Sequence, residues 1–131
     1  MDGSSPLENL TILLIEDDES MRTLVARMLS RLKMRVIAAE DGQSGLQALD
    51  AATQPDDLII CDWNMPGMSG MEVFERVCAR RPDLPFLMLT GRADLESVVS
   101  AKKAGIVGYI VKPVSLPELQ TKLSFLARKS A

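Results

Sequence analysis

The sequence predicts an α/β fold built on a parallel sheet, and three observations predict it. Short β-rich apolar runs alternate with longer stretches of helical apolar spacing, five times in succession. The first run, Leu10 to Ile15, is apolar without alternation, the pattern of a strand covered on both faces. The linkers between runs are short, as in a single compact domain.

Each element has its own signal. The run Leu10 to Ile15 ends in four acids, Glu16, Asp17, Asp18 and Glu19. Apolar residues at Met21, Leu24, Val25, Met28, Leu29 and Leu32 then share one face of a first helix. Met34 to Ala38 reads as a short apolar strand, and Asp41-Gly42 as the turn into a helix over Gln43 to Ala51. Leu58 to Cys61 is a third strand ending at Asp62, and Pro66-Gly67 precedes a helix from Ser69 to Arg80. Pro85 to Leu89 is a fourth strand ending at Thr90, followed by a helix from Ala93 to Ala104 that Gly105 stops. Val107 to Val111 is a fifth strand ending at Lys112-Pro113. The last helix, Ser115 to Ala127, has Ser115 as N-cap, Pro117 in its first turn and Glu118 three residues after the cap.

The bulk composition bounds the possibilities. The 131 residues, 47% hydrophobic and 25% charged, suit one soluble domain over 1–131, with residues 1–8 as a flexible tail. A net charge of −3 argues against non-specific nucleic-acid binding, which needs a basic face. No basic leader precedes an apolar stretch and no run reaches membrane length, so a cytoplasmic protein is expected. Cys61 and Cys78 sit in apolar runs and read as reduced core residues. There is no histidine, which removes the usual general base and the commonest metal ligand. Chemistry here rests on other groups, and any phosphohistidine donor must be another molecule.

In open α/β sheets, ligands bind beyond the carboxyl ends of the strands. Strand one ends in Glu16-Asp17, strand three in Asp62, strand four in Thr90 and strand five in Lys112. Glu16, Asp17 and Asp62, crowded together, would repel one another unless a cation joined them. An all-oxygen set suits Mg²⁺. Asp18 and Glu19 fit helix capping instead. Lys112 needs a paired charge, and Asp62 is the natural partner. Pro113 makes a cis peptide accessible. Thr90 reads equally as a hydroxyl facing an anion and as a helix N-cap.

The segments Ile-Glu-Asp-Asp at 15–18, Asp-Trp-Asn-Met-Pro-Gly-Met-Ser-Gly at 62–70, Leu-Thr-Gly at 89–91 and Gly-Tyr-Ile-Val-Lys-Pro at 108–113 resemble response-regulator receiver domains, most of all single-domain chemotaxis receivers. The resemblance implies a five-stranded flavodoxin-like sheet in the order 2-1-3-4-5, with five helices on both faces. It implies that Asp62 is the phosphoacceptor, becoming a 4-aspartylphosphate. Asp17 would ligate Mg²⁺ directly, Glu16 through water, and Asn64 through its backbone carbonyl. Lys112 and Thr90 would contact the phosphoryl oxygens, with Tyr109 as the aromatic switch that follows Thr90. Glu16 stands where such chains often carry aspartate. Asn64 and Arg92 would flank the site and tune hydrolysis.

Further expectations follow from the resemblance. The donor would be a histidine kinase or phosphotransfer protein. The output would be a protein-binding face on helix four, strand five and helix five, involving Leu95, Val98, Val99, Lys102, Tyr109 and Lys122. The chain would be a monomer without direct nucleic-acid or membrane contact. The protein would be a phosphoacceptor with self-phosphorylation and slow hydrolysis, not an enzyme with its own substrate. Three rivals are a haloacid-dehalogenase-like phosphatase, a flavodoxin-like carrier and a fragment of a larger regulator. The first wants an acid where Asn64 stands, and the second a hydroxyl-rich first loop where Glu16 to Glu19 stand. Against the third, the chain starts at Met1 and ends soon after helix five, as a complete protein would.

Overall fold

The apolar runs become strands because burial on two faces favours them and parallel pairing satisfies their backbones. The computed structural model of the chain describes residues 6–53, 55–102, 105–106 and 108–130, and the side chains of all of these except 100–102 and 128–130. Its strands are β1 (Thr11–Ile15), β2 (Arg35–Ala39), β3 (Leu58–Asp62), β4 (Phe86–Thr90) and β5 (Gly108–Val111). They form one parallel sheet in the order β2-β1-β3-β4-β5, as expected. The helices are α1 (Glu19–Arg31), α2 (Gly42–Ala51), α3 (Gly70–Arg80), α4 (Leu95–Lys102) and α5 (Leu116–Ser130).

Alternate residues of each central strand feed two separate cores. Ile12, Leu14, Leu58, Ile60, Leu87 and Leu89 face one side, where Val25 and Leu29 of α1 and Leu119, Leu123 and Leu126 of α5 pack. Leu13, Ile15, Ile59, Cys61, Phe86 and Met88 face the other, beneath α2 and α3. Each such side chain contributes about 1.5–3 kcal/mol relative to exposure. The strands β1, β3 and β4 are buried throughout, so the polar groups at their ends hang from rigid supports.

Local signals set the helix starts. Asp18, Asp41 and Ser69 cap α1, α2 and α3, their side chains accepting from the N–H groups of Met21, Ser44 and Glu72. Ser115 accepts from Glu118 N–H at 3.3 Å, the cap expected for the last helix. Cys61 and Cys78 are free thiols packed in or against the second core.

Four expectations are corrected. The tail does not extend to residue 8: Leu7 is fully buried, Glu8 pairs with Lys33 at 3.0 Å, and Asn9 N–H donates to the Lys33 carbonyl at 2.9 Å. One apolar residue among the polar ones was enough to pin this segment under the sheet; residues 1–5 lie outside the described residues. The fourth helix starts at Leu95, because Arg92–Asp94 forms a 3₁₀ turn first. Its expected end at Ala104 lies outside the described residues, although Gly105 does adopt a positive φ of 114°. The second strand runs Arg35–Ala39 rather than Met34 to Ala38, and at its expected edge position only Ala39 is buried. Leu24 of α1 is 45% exposed, at the margin of the apolar stripe.

Candidate functional site

The strand order reverses between β1 and β3, and the carboxyl ends of those two strands carry Glu16, Asp17 and Asp62. One carboxylate oxygen from each lies within 4.8 Å of the others. Glu16 is fully buried and Asp62 is 5% exposed, while Asp17 is exposed to solvent. The backbone N–H of Glu16 donates to the Ala39 carbonyl at 3.1 Å, which fixes the first carboxylate to the sheet.

Lys112 completes the cluster from β5. Its N–H donates to the Thr90 carbonyl at 2.7 Å, and the Lys112-Pro113 peptide is cis. The ammonium donates to Glu16 Oε1 and forms an ion pair with Asp62 Oδ1, both at 3.1 Å. The sequence suggested the Asp62 partnership and missed the one with Glu16. The signal was there: glutamate in place of aspartate adds one methylene of reach.

The electrostatics follow from this packing. Burial, then the neighbouring Asp62 charge, push the Glu16 carboxyl up to about 7 against the opposing pull of Lys112. Burial likewise raises Asp62, although the hydrogen bond and charge of Lys112 oppose it. Burial works against the Lys112 ammonium, but Asp62 and Glu16 together outweigh it and raise its pKa. Three acids and one cation leave the cluster net negative when ionised, and Lys112 alone does not neutralise it.

The remaining expected residues take the following places in the fold. Thr90 is fully buried, and its hydroxyl donates to the Gly91 carbonyl at 3.1 Å. It is not the helix cap: Gly91 occupies that position, without a side-chain cap bond. Asn64 is exposed in the loop after β3, and Arg92 is exposed on the 3₁₀ turn. Tyr109 is half-buried on β5, with Lys122 Nζ 5.6 Å from its ring centroid. Val98 is buried, whereas Val99 is 43% exposed. The side chain of Lys102 lies outside the described residues. Phe125, exposed by 56% on α5, was missed although the helical period turns it away from the stripe of Leu119, Leu123 and Leu126.

Gly70 is a second omission. A Cβ there would meet the Asp62 carbonyl oxygen at 2.5 Å and the Trp63 Cα at 2.8 Å. Only glycine lets α3 begin directly against the end of β3, and the Gly70 N–H donates to the Trp63 carbonyl at 2.9 Å.

The donor set fits a magnesium ion: three convergent carboxylate oxygens, one exposed to water, suit a hard cation that retains part of its hydration. A family profile described as the response regulator receiver domain matches residues 12–124. The chain belongs to the response-regulator receiver family. Chemotaxis protein CheY-3 of Vibrio cholerae is 36% identical over 119 residues, covering 88% of this chain and 90% of that protein. Chemotaxis protein CheY of Pseudomonas aeruginosa is 35% identical over 117 residues, covering 87% and 93%. Among solved structures, Vibrio cholerae chemotaxis protein CheY4 superposes with a TM-score of 0.82 at 31% identity, covering 90% of this chain and 98% of that one. This receiver is therefore a two-component signalling phosphoacceptor of the CheY-like kind. Receivers exchange signals with histidine kinases and downstream targets. Among the described residues, no helix is long and apolar enough to cross a membrane.

Proposed function

We propose that Asp62 accepts the phosphoryl group, with Mg²⁺ held by Asp17, Asp62, Glu16 and the backbone carbonyl of Asn64. The observation that carries this is the position of Asp62: at the end of a buried strand, between two other carboxylates and 3.1 Å from an ammonium. No histidine is present to donate phosphate, so the donor is a phosphohistidine on a kinase or phosphotransfer protein.

An Asp62 oxygen attacks phosphorus in line; the O–P bond forms as the P–N bond breaks, and its electron pair leaves on the donor's imidazole nitrogen. Lys112 follows the developing charge from the carboxylate onto the phosphoryl oxygens. Bound magnesium would supply further neutralisation of those oxygens. Thr90 gives up its bond to the Gly91 carbonyl to donate to the phosphoryl group, and Tyr109 moves with it. The Lys122–Tyr109 contact and the exposed Val99 and Phe125 support an output face on α4, β5 and α5. Small acyl phosphates serve as alternative donors, and water slowly releases the group, with Asn64 and Arg92 setting the rate. The protein acts as a cytoplasmic monomer.

Incubation with acetyl phosphate and Mg²⁺, followed by intact-mass analysis, tests the assignment. A phosphate-sized adduct is expected on the wild type and none on Asp62→Asn. An undiminished adduct on the variant would move the acceptor elsewhere.

A further inference from the structure

The sheet has an open side away from the phosphoryl site. Strand β2 is terminal in the sheet, and among the described residues no strand pairs with its outer edge. Arg35 N–H donates to Leu10 and the Ala39 carbonyl accepts from Glu16, so both residues turn their backbones toward β1. By the two-residue period, Val36 and Ala38 turn their N–H and C=O groups outward. Between this edge and α1 lies a shallow, open groove of roughly 540 Å³. The small residues Ala26, Ser30 and Ala38 line it together with Arg22, Arg27 and Arg31. Arg22 is tied down by its bond to the Glu16 carbonyl at 3.0 Å. Among the described residues, Arg27 and Arg31 have no acidic partner, although the chain as a whole is acidic.

We propose that this groove is a docking site for an extended acidic peptide segment of a partner protein, added as a strand beside β2. Two independent features select that occupant. The outward groups of Val36 and Ala38 offer a row of backbone donors and acceptors, which a peptide backbone matches and a nucleotide or lipid headgroup does not. The guanidinium groups then set the side-chain code. Arg27 and Arg31 stand four residues apart on a helix, a rise of about 6 Å, and alternate residues of a strand lie about 6.6 Å apart. Carboxylates at every second position of an added strand therefore fall in step with the arginines. The intervening side chains turn to the opposite face of the sheet, toward the half-exposed Ile37, and are free to be apolar. This surface lies on α1 and β2 and does not use the α4, β5 and α5 face.

The test uses the full chain and a short peptide alternating Asp with Val, compared with one alternating Lys with Val. Fluorescence anisotropy at low salt reads affinity, and hydrogen exchange reads the Val36 and Ala38 amides. The acidic peptide is expected to bind at least about tenfold tighter than the basic one, with binding weakened by added salt. It should slow exchange at Val36 and Ala38 by about tenfold or more. The double change Arg27→Ser with Arg31→Ser, on exposed positions, should weaken binding by about tenfold. Ala38→Pro removes one outward donor and should abolish the exchange protection at Val36, the outward amide that remains; should that variant not fold, the arginine pair still decides. Equal binding of the basic peptide, unprotected amides, or displacement by an oligothymidine that binds more tightly would each overturn the proposal.

Discussion

Lys112 Nζ lies 3.1 Å from Glu16 Oε1, an ion pair that closes across 96 residues of chain and holds the ammonium on a fully buried carboxylate. The same ammonium serves Asp62 at 3.1 Å. Lysine and a divalent cation therefore compete for one set of oxygens, and this competition orders the first two expectations.

Removing the ammonium should tighten cation binding. In Lys112→Ala, Mg²⁺ no longer meets a like charge a few ångströms away, a repulsion of a few kcal/mol at most in this partly solvated site. The magnesium dissociation constant should fall by roughly tenfold, while phosphoryl-dependent signalling is lost. The fluorescence of Trp63, the chain's one tryptophan and the neighbour of Asp62, reports the titration. Unchanged affinity would show that Lys112 and the ion use separate oxygens.

Glu16→Gln should stabilise the metal-free protein near neutrality. The ordinary Glu16 value of 4.5 rises to about 7 in the fold. A raised carboxyl contributes stability that is complete below 4.5 and is lost as pH climbs through about 7. Thermal melts in chelator should show wild-type stability declining over that window and a flatter profile for the variant. The gain at mildly alkaline pH should be on the order of 1–3 kcal/mol.

Asp56 offers a pH effect at the opposite end of the strands, just ahead of β3. It is 2% exposed, neither carboxylate oxygen has a hydrogen-bond partner, and burial raises its pKa. Its contribution is again present when protonated and lost on ionisation. In thermal melts, the stability of Asp56→Asn should exceed that of the wild type increasingly as pH rises above the ordinary carboxyl value of 3.8, reaching about 1 kcal/mol once Asp56 is ionised in the fold. A difference independent of pH would contradict this.

Gly70→Ala should disturb the site from behind. The added carbon would meet main-chain atoms of Asp62 and Trp63, which cannot rotate away. A loss of roughly 1–3 kcal/mol in denaturant unfolding is expected, with a shifted Trp63 emission. An unaltered spectrum and stability would mean that α3 slides freely on β3.

The fold was legible because β1, β3 and β4 are buried on both faces, and such strands announce themselves as unbroken apolar runs. The meeting of Glu16, Asp17, Asp62 and Lys112 was expected from their places at the ends of parallel strands. What stayed hidden depended on distance rather than pattern. The Glu16–Lys112 pair needs side-chain reach, and the role of Gly70 needs the gap between α3 and β3. The groove beside β2 needs the gap between that strand and α1. Leu7 was lost in a polar segment because one buried residue has no period to reveal it.

Leu7, buried just ahead of β1, fastens the chain's entry to the edge where strands begin, whereas Asp62 and Lys112 stand where strands finish. A five-residue strand separates the two by about 16 Å. A fluorophore or surface linker grafted ahead of Pro6 would consequently trail from the far pole of the molecule, leaving the approach of a phosphodonor unobstructed.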